Sequence, residues 1–286
     1  MDLTPFLQSI VNGLALSGIY ILVALGLALV LSIMGIVQIS HGEIYMLGAY
    51  IVYGLTKVLG LDFFPSLLIS MFSVGLVGVL LERLCFRPFR GSPDRAFTIS
   101  LALILILQNV VLSMAGGDPH TYTSPISGVL RFFGVAISWK RVFILIVGFG
   151  LLLLLFVLVK RTKVGQAMLA ASQEKDGASL LGIDIDSLSA LAMFVGCALA
   201  ALAGILMGSL FSIYPTMGSF ALMKAMAVII LGGLGSLGGA VIGGLLLGLI
   251  DGILPVFTTT HIAGMVGFGA IILVLIFRPQ GIAGHE

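Results

Sequence analysis

The sequence predicts an all-α protein, a polytopic bundle of about eight or nine transmembrane helices, some of them short or broken. Three observations support this: charged residues make up 9% of the 286-residue chain, hydrophobic residues make up 59%, and glycine occurs 38 times. A soluble domain carries about 25% charged residues, so this chain has too little polar surface for a soluble fold. Abundant glycine suits the close approach of helices in lipid.

Nine apolar segments follow one another along the chain, and most approach the roughly 20 residues that cross a bilayer as a helix. They are continuously apolar and not alternating, so membrane strands are not expected. The first lacks a positively charged n-region and is interpreted as a retained span, not a signal peptide. The segments cover residues 8–33, 43–58, 65–82, 97–115, 142–159, 188–211, 220–234, 239–256 and 262–277.

Basic residues are distributed unequally between the two sides that nine spans would create. Nine fall on one side and four on the other, and the richer side of such a chain faces the cytoplasm. We therefore expect a bacterial inner-membrane protein with its N-terminus outside and its C-terminus in the cytoplasm, provided that segment 220–234 crosses fully. The nine are Arg83, Arg87, Arg90, Arg95, Lys160, Arg161, Lys163, Lys175 and Arg278; the four are Lys57, Arg131, Lys140 and Arg141.

Two stretches, residues 35–42 and 232–239, interrupt the helical pattern with polar or glycine-rich sequence. Irregular backbone at membrane depth must be buried in protein or line a watery cavity. One interruption in each half of the chain indicates a solute path, although both stretches could instead be loops at the membrane interface. The candidate path residues are Ser40, His41, Glu43, Lys224, Gly232, Gly233, Gly235 and Asp251.

Four of these candidates are ionisable, and such residues at membrane depth are functional candidates by default. Lys224 and Asp251 have opposite signs on successive segments and could pair, for function or for structure alone. His41 and Glu43 begin the second segment, where an acidic group could act only to offset the helix dipole.

Small residues recur at every fourth position in two segments, which predicts smooth helix faces for close packing. These residues are Ala240, Gly244, Gly248 and Gly252 in one segment, and Ala200, Gly204 and Gly208 in the other. Glu82 and Arg83 end the third segment, where we expect them to snorkel towards the cytoplasm.

The cytoplasmic loop at about residues 160–187 is the best indicator of a partner. Residues 165–175 are rich in good helix formers, and Gly177 is expected to break or kink the helix. Small side chains and mixed charges favour docking to another protein over lying on anionic lipid.

The sequence lacks the common motifs of ATP-binding and hydrolytic sites. It contains no G-x-x-x-x-G-K-[ST], H-E-x-x-H or G-x-S-x-G sequence, and Cys85 and Cys197 have no metal-like spacing. We expect a non-catalytic protein that binds no metal and no cofactor of its own. An intramembrane enzyme with a site assembled from distant residues stays an alternative.

Several segments in this order resemble the LivH-like permease subunits of ABC importers for branched-chain amino acids, and the resemblance runs through most of the chain. They are residues 12–20, 40–48, 82–83, 87–90, 164–165, 178–183, 230–240 and 278–282. The resemblance implies a single permease domain over residues 1–286. It also implies a second permease subunit, two cytoplasmic ATPases that use ATP and Mg²⁺, and an extracytoplasmic solute-binding protein.

The resemblance also implies that the 160–187 loop couples the chain to an ATPase. The loop departs from the E-A-A form of other importers, because it reads Ala170-Ala171-Ser172 with Glu174 later. The expected coupling residues are Gly165, Ala170, Ala171, Glu174, Gly177, Leu181 and Gly182. Related permeases carry urea or short amides, so the solute stays open. The rival class is an ATP-independent secondary transporter or channel that uses the ionisable residues as an ion relay.

Overall fold

A computed structural model of the chain describes residues 3–122, 124–132, 135–278 and 280–283. Within these ranges there are eleven α-helices and one small antiparallel hairpin, β1 (Val129–Phe132) with β2 (Val135–Ser138). The helices are α1 (Leu3–Met34), α2 (His41–Lys57), α3 (Phe63–Leu81), α4 (Pro93–Ala115), α5 (Trp139–Arg161), α6 (Lys163–Gln173), α7 (Lys175–Leu180), α8 (Ile185–Leu210), α9 (Met217–Gly232), α10 (Leu237–Ile253) and α11 (Thr260–Phe277).

All nine predicted apolar segments are helical, and α6 and α7 add two short helices between α5 and α8. Six helices have the length and hydropathy to cross a membrane, namely α1, α3, α4, α5, α8 and α10. Local sequence sets several helix ends. The Ser236 hydroxyl accepts a hydrogen bond from Gly239 N at 3.0 Å and begins α10, while Gly233 ends α9 with a φ of 109°.

The buried centre of the bundle consists mainly of α1 and α8, whereas α4 and α5 lie at its periphery. The predicted small-residue faces make the closest helix contacts. On α10, Gly248 packs against the backbone of Ser17, and Gly252 packs against Gly13. On α8, Gly204 packs against the Tyr45 carbonyl. Each of these glycines lets a neighbouring backbone approach where a Cβ would clash.

Contacts divide the bundle into two ends. At the hairpin end, Ala136 N donates to Gln8 Oε1 (3.0 Å), and His120 N donates to the Ile213 carbonyl (2.9 Å). At the α6–α7 end, Ser32 Oγ donates to the Gly235 carbonyl (3.1 Å), and Ile282 N donates to the Leu231 carbonyl (2.9 Å). Residue 3 therefore lies towards the hairpin end and residues 280–283 lie at the other, which fits nine crossings.

Two local expectations are wrong. The helix of the 160–187 loop breaks at Glu174, whose backbone is extended (φ −151°, ψ 113°), and Gly177 lies inside α7.

Glu82 does not snorkel, because its side chain is fully buried and pairs with Arg87 (Nη2–Oε2, 3.1 Å) and with Arg90. Both arginines also pair with Asp186, so this cluster joins the end of α3 to the start of α8.

Candidate translocation site

The first interruption, residues 35–40, leads the chain back into the bundle before α2 begins. Gly35 has a φ of 70°, which favours glycine. His41 is fully buried, and its Nε2 lies 2.9 Å from where a Cβ on Gly26 would be. Gly26 lies eight residues before the end of α1, which corresponds to about 12 Å of helix. The start of α2 is thus inside the protein and is not an interfacial loop.

His41 and Glu43 point in different directions, because two residues on a helix differ by about 200° in azimuth. His41 faces α1, and its Nδ1 lies 3.4 Å from Gln38 Oε1. Glu43 faces α4 and α9, where Gln108 Nε2 donates to its Oε1 at 2.8 Å. The two residues therefore do not form one joint site.

A polar seam joins α2 to α4. We define it by Ser40, Glu43, Ser100 and Gln108. Ser40 N donates to Ser100 Oγ at 2.8 Å, and the two serine hydroxyls lie 3.3 Å apart. Sequence reasoning missed Ser100 and Gln108, although polar side chains in a mostly apolar segment were a usable signal.

Buried polar atoms without a partner cluster at this interruption. Among the described residues, four buried side-chain atoms make no hydrogen bond, and three of them belong to Gln38 (Nε2), His41 (Nε2) and Glu43 (Oε2). The fourth is Tyr50 Oη, on the same helix as Glu43. Because such atoms are costly, each marks a place where a ligand or water would bind; those of Gln38 and His41 lie on the α1 side, and that of Glu43 lies on the other side of α2.

Lys224 and Asp251 form the ion pair that their charges predict, with 2.6 Å between Nζ and Oδ2. Tyr20 Oη donates to the same carboxylate oxygen at 2.8 Å. The ammonium group also lies 5.5 Å from the centres of the Phe220 and Phe268 rings, within cation–π range. Each charge is satisfied locally, so the pair ties α1, α9, α10 and α11 together.

The second interruption is a tight turn at the α6–α7 end. Gly233 and Gly235 have φ values of 109° and 82°, and Gly232 packs directly against Gly239. The Ser32 contact to Gly235 places this turn beside the end of α1, where the first interruption begins. The predicted path residues thus occupy three places: the seam and its surroundings, the Lys224 pair, and this turn.

The predicted coupling residues divide into three sets by burial. Gly165 and Ala171 are buried, and Ala171 belongs to an apolar cluster that joins α6 and α7 to α1 and α8. The other members of that cluster include Leu29, Ile33, Met168, Ala178, Leu188 and Ala192. Ala170 and Gly177 are half-buried, whereas Glu174, Leu181 and Gly182 are exposed.

Lys175 connects this loop to the first interruption. Its Nζ lies 2.8 Å from where a Cβ on Gly35 would be. Desolvation lowers the pKa of Lys175, the nearby Arg90 lowers it further, and Asp176 opposes the shift. The contact places a cation of the loop against the residue at which the chain leaves α1.

A bundle of apolar helices with buried polar interruptions and two short helices at one end is a multi-pass membrane transport protein. Residues 9–276 match the family model described as "Branched-chain amino acid transport system / permease component". The chain belongs to this family. The resemblance, fold class and transport role predicted from the sequence are confirmed. Of the residues that carried the resemblance, Pro279 lies outside the described residues.

The relatives match the chain over almost its full length. The high-affinity branched-chain amino acid transport system permease protein BraD of Pseudomonas aeruginosa is 34% identical, over 99% of this chain and 97% of its own. LivH of Escherichia coli, which bears the same description, is 34% identical over 98% and 96%. The solved structure of PsaBC from Streptococcus pneumoniae in complex with Fab shares the fold, with a TM-score of 0.53, 13% identity and coverage of 93% and 90%.

Proposed function

We propose that this chain is the membrane permease subunit of an ATP-driven importer and that its solute is a branched-chain amino acid. The observation that carries the proposal is the near-full-length similarity to BraD and LivH, whose names state this transport system. The chain itself binds no cofactor or metal, since ATP and Mg²⁺ are used by the partner ATPases. A second permease subunit and an extracytoplasmic solute-binding protein complete the complex.

The exposed tip of α7 supports docking to a cytoplasmic partner. Leu180 and Leu181 are 90% and 82% exposed, at a turn that Gly182 closes with a φ of 83°. Two adjacent leucines exposed outside the apolar spans are unfavourable in water and suit a groove on another protein. Force applied there would reach α1 and α8 through the apolar cluster around Ala171, and the first interruption through Lys175.

The proposed orientation places the α6–α7 end in the cytoplasm. The basic residues that predict this side include Arg87, Arg90 and Lys175, and the two arginines pair with Asp186 at that end of the bundle. The C-terminal residues 280–283 then lie in the cytoplasm, and the hairpin faces outside, where it is available to a solute-binding protein.

Copurification and uptake test this function. The ATPase subunits should purify with the chain, and leucine uptake should survive uncouplers and stop when ATP is depleted. Uptake that stops with the uncoupler while ATP remains would show a secondary transporter instead. Competition by urea or acetamide, with none by valine, would show that the solute belongs to another class.

Substitution of Leu181 tests the docking surface. Leu181→Asp places a charge where an apolar contact is proposed, so the amount of copurified ATPase should fall by about tenfold or more. The control is Leu130→Asp, an exposed leucine at the hairpin end, which should keep the ATPase. Full ATPase recovery with Leu181→Asp would show that the partner docks elsewhere.

A further inference from the structure

We propose that Glu43 binds the α-ammonium group of the transported amino acid, at the seam between α2 and α4. This inference rests on the proposed function and adds to it the side chain that recognises the charged end of the solute. Three features of the seam support it: a buried carboxyl group with one oxygen that has no partner among the described residues, two helix N-termini that partly offset a negative charge there, and a thin cover on one side.

The carboxylate of Glu43 is only half satisfied. Glu43 is only 1% exposed. Gln108 donates a hydrogen bond to one carboxylate oxygen, Oε1, whereas the other, Oε2, has no hydrogen-bond partner among the described residues. The five ion pairs between described residues do not include Glu43. A buried carboxylate normally has a cation or several donors, so Oε2 is a vacant acceptor.

Two helix N-termini favour a negative charge at this point. Glu43 lies in the first turn of α2. Its Oε2 lies 2.8 Å from where a Cβ on Gly218 would be, and Gly218 lies in the first turn of α9. Because N-terminal helix dipoles stabilise anions, they offset part of the cost of burying a carboxylate at Glu43. A ligand with a cationic hydrogen-bond donor would supply the counter-charge that this carboxylate lacks.

On the side of α4, a peripheral helix, the Gln108 side chain covers Glu43. Gln108 is half-buried, and its neighbour Asn109 is exposed, although it is the seventeenth of the 23 residues of α4. Exposed amides at this depth are unfavourable against lipid. This edge of α4 therefore borders a watery path or a second subunit, and displacement of the Gln108 amide would open the seam to it.

The chemistry of the seam selects among small solutes. An ammonium group has three donors; one would pair with Glu43 Oε2, and the seam also contains the hydroxyl oxygens of Ser40 and Ser100 as acceptors. A carboxylate would be repelled, and neutral urea or an amide would gain no ionic contact. A metal ion is disfavoured, since no group of three or more acidic, His or Cys residues is found in the described part of the chain.

The test uses the whole transporter in proteoliposomes with ATP inside and the solute-binding protein outside. Glu43→Gln keeps the shape and removes the charge, so leucine uptake per ATP hydrolysed should fall by about tenfold or more, while Glu43→Asp should retain part of it. Asp94→Asn is the control, because it neutralises an exposed carboxylate in the first turn of α4, and it should transport like the wild type.

A labelling experiment examines the seam without relying on the solute. In a background with Cys85 and Cys197 replaced by Ala, Gln108→Cys should react about tenfold faster with a cationic methanethiosulfonate than with an anionic one. Adding Glu43→Gln should remove this preference.

The outcomes separate the two proposals. Wild-type uptake in an assembled Glu43→Gln complex would overturn the ammonium site and leave the importer function intact. The same holds if the preference for the cationic reagent does not change when Glu43 is replaced. Loss of both assembly and ATPase activity in Glu43→Gln would assign Glu43 a structural role and also overturn it. A wild-type complex that hydrolyses ATP but never takes up leucine would instead overturn the proposed function.

Discussion

Asp251 and Glu43 both lie within the helix bundle, but Asp251 has a cation beside it, whereas Glu43 has no ion-pair partner among the described residues. Lys224 and Asp251 are 4% and 12% exposed, and the aromatic rings around them exclude water. In such surroundings each charge depends on the other, so the pair is a structural requirement. Glu43, with an unused oxygen, is available for recognition.

Removal of one member of the pair should destabilise the protein strongly. Lys224→Met leaves Asp251 buried without its cation, and we expect a loss of about 3 kcal/mol in the free energy of unfolding. The double variant Lys224→Met with Asp251→Leu should recover much of that loss, because no charge remains. Unfolding in a denaturing detergent measures both. Equal stability of the single variant and the wild type would contradict this role.

At the scale of elements, the contact between α1 and α10 depends on small residues. Antiparallel packing brings Gly13, Ser17 and Gly248 together along the two helices. Backbones this close gain dispersion contacts along much of their length, and lipid cannot compete for them. The 3.6-residue geometry of the helix places every fourth residue near this face.

A bulky residue in this contact should separate the helices. Gly248→Leu meets the backbone of Ser17, so we expect a loss of about 1–3 kcal/mol or a failure to fold. Gly150→Leu is the matched control, because nothing lies within 4 Å of a Cβ at that position of α5. Thermal stability of the two purified variants gives the comparison. Similar melting temperatures would show that α1 and α10 tolerate separation.

At the scale of the whole molecule, the alternating helices give the protein two chemically different ends. The α6–α7 end carries the Glu82, Arg87, Arg90 and Asp186 cluster and the exposed leucines of α7. The hairpin end carries β1 and β2 and the α2–α3 loop. The proposed import, with solute delivered at one end and an ATPase docked at the other, requires such a division.

Sided labelling tests the orientation of the two ends. In a background without Cys85 and Cys197, Leu181→Cys should react with an impermeant thiol reagent only after the cell is opened. Leu59→Cys, an exposed residue of the α2–α3 loop, should react in intact cells. The reverse pattern would invert the orientation, and labelling of both from one side would contradict nine crossings.

Hydropathy predicted all nine apolar helices, because burial in lipid needs only length and apolar composition. The four-residue spacing of small residues predicted the close helix contacts. The opposite charges of Lys224 and Asp251 predicted their pair. The Gln108 contact to Glu43 was not predictable, because it depends on the rotation of α4 relative to α2. The burial of Glu82 likewise depends on Arg87 and Arg90 folding back over it.

The close partnership of α1 and α10 has a consequence for how the protein is made. The first helix ends about 200 residues before α10 begins, so Gly13 and Ser17 are synthesised well before the helix that they contact. This contact therefore forms only after the last fifth of the chain, which contains α10, has been made. A chain truncated before residue 237 should leave that surface uncovered and be a substrate for membrane quality control.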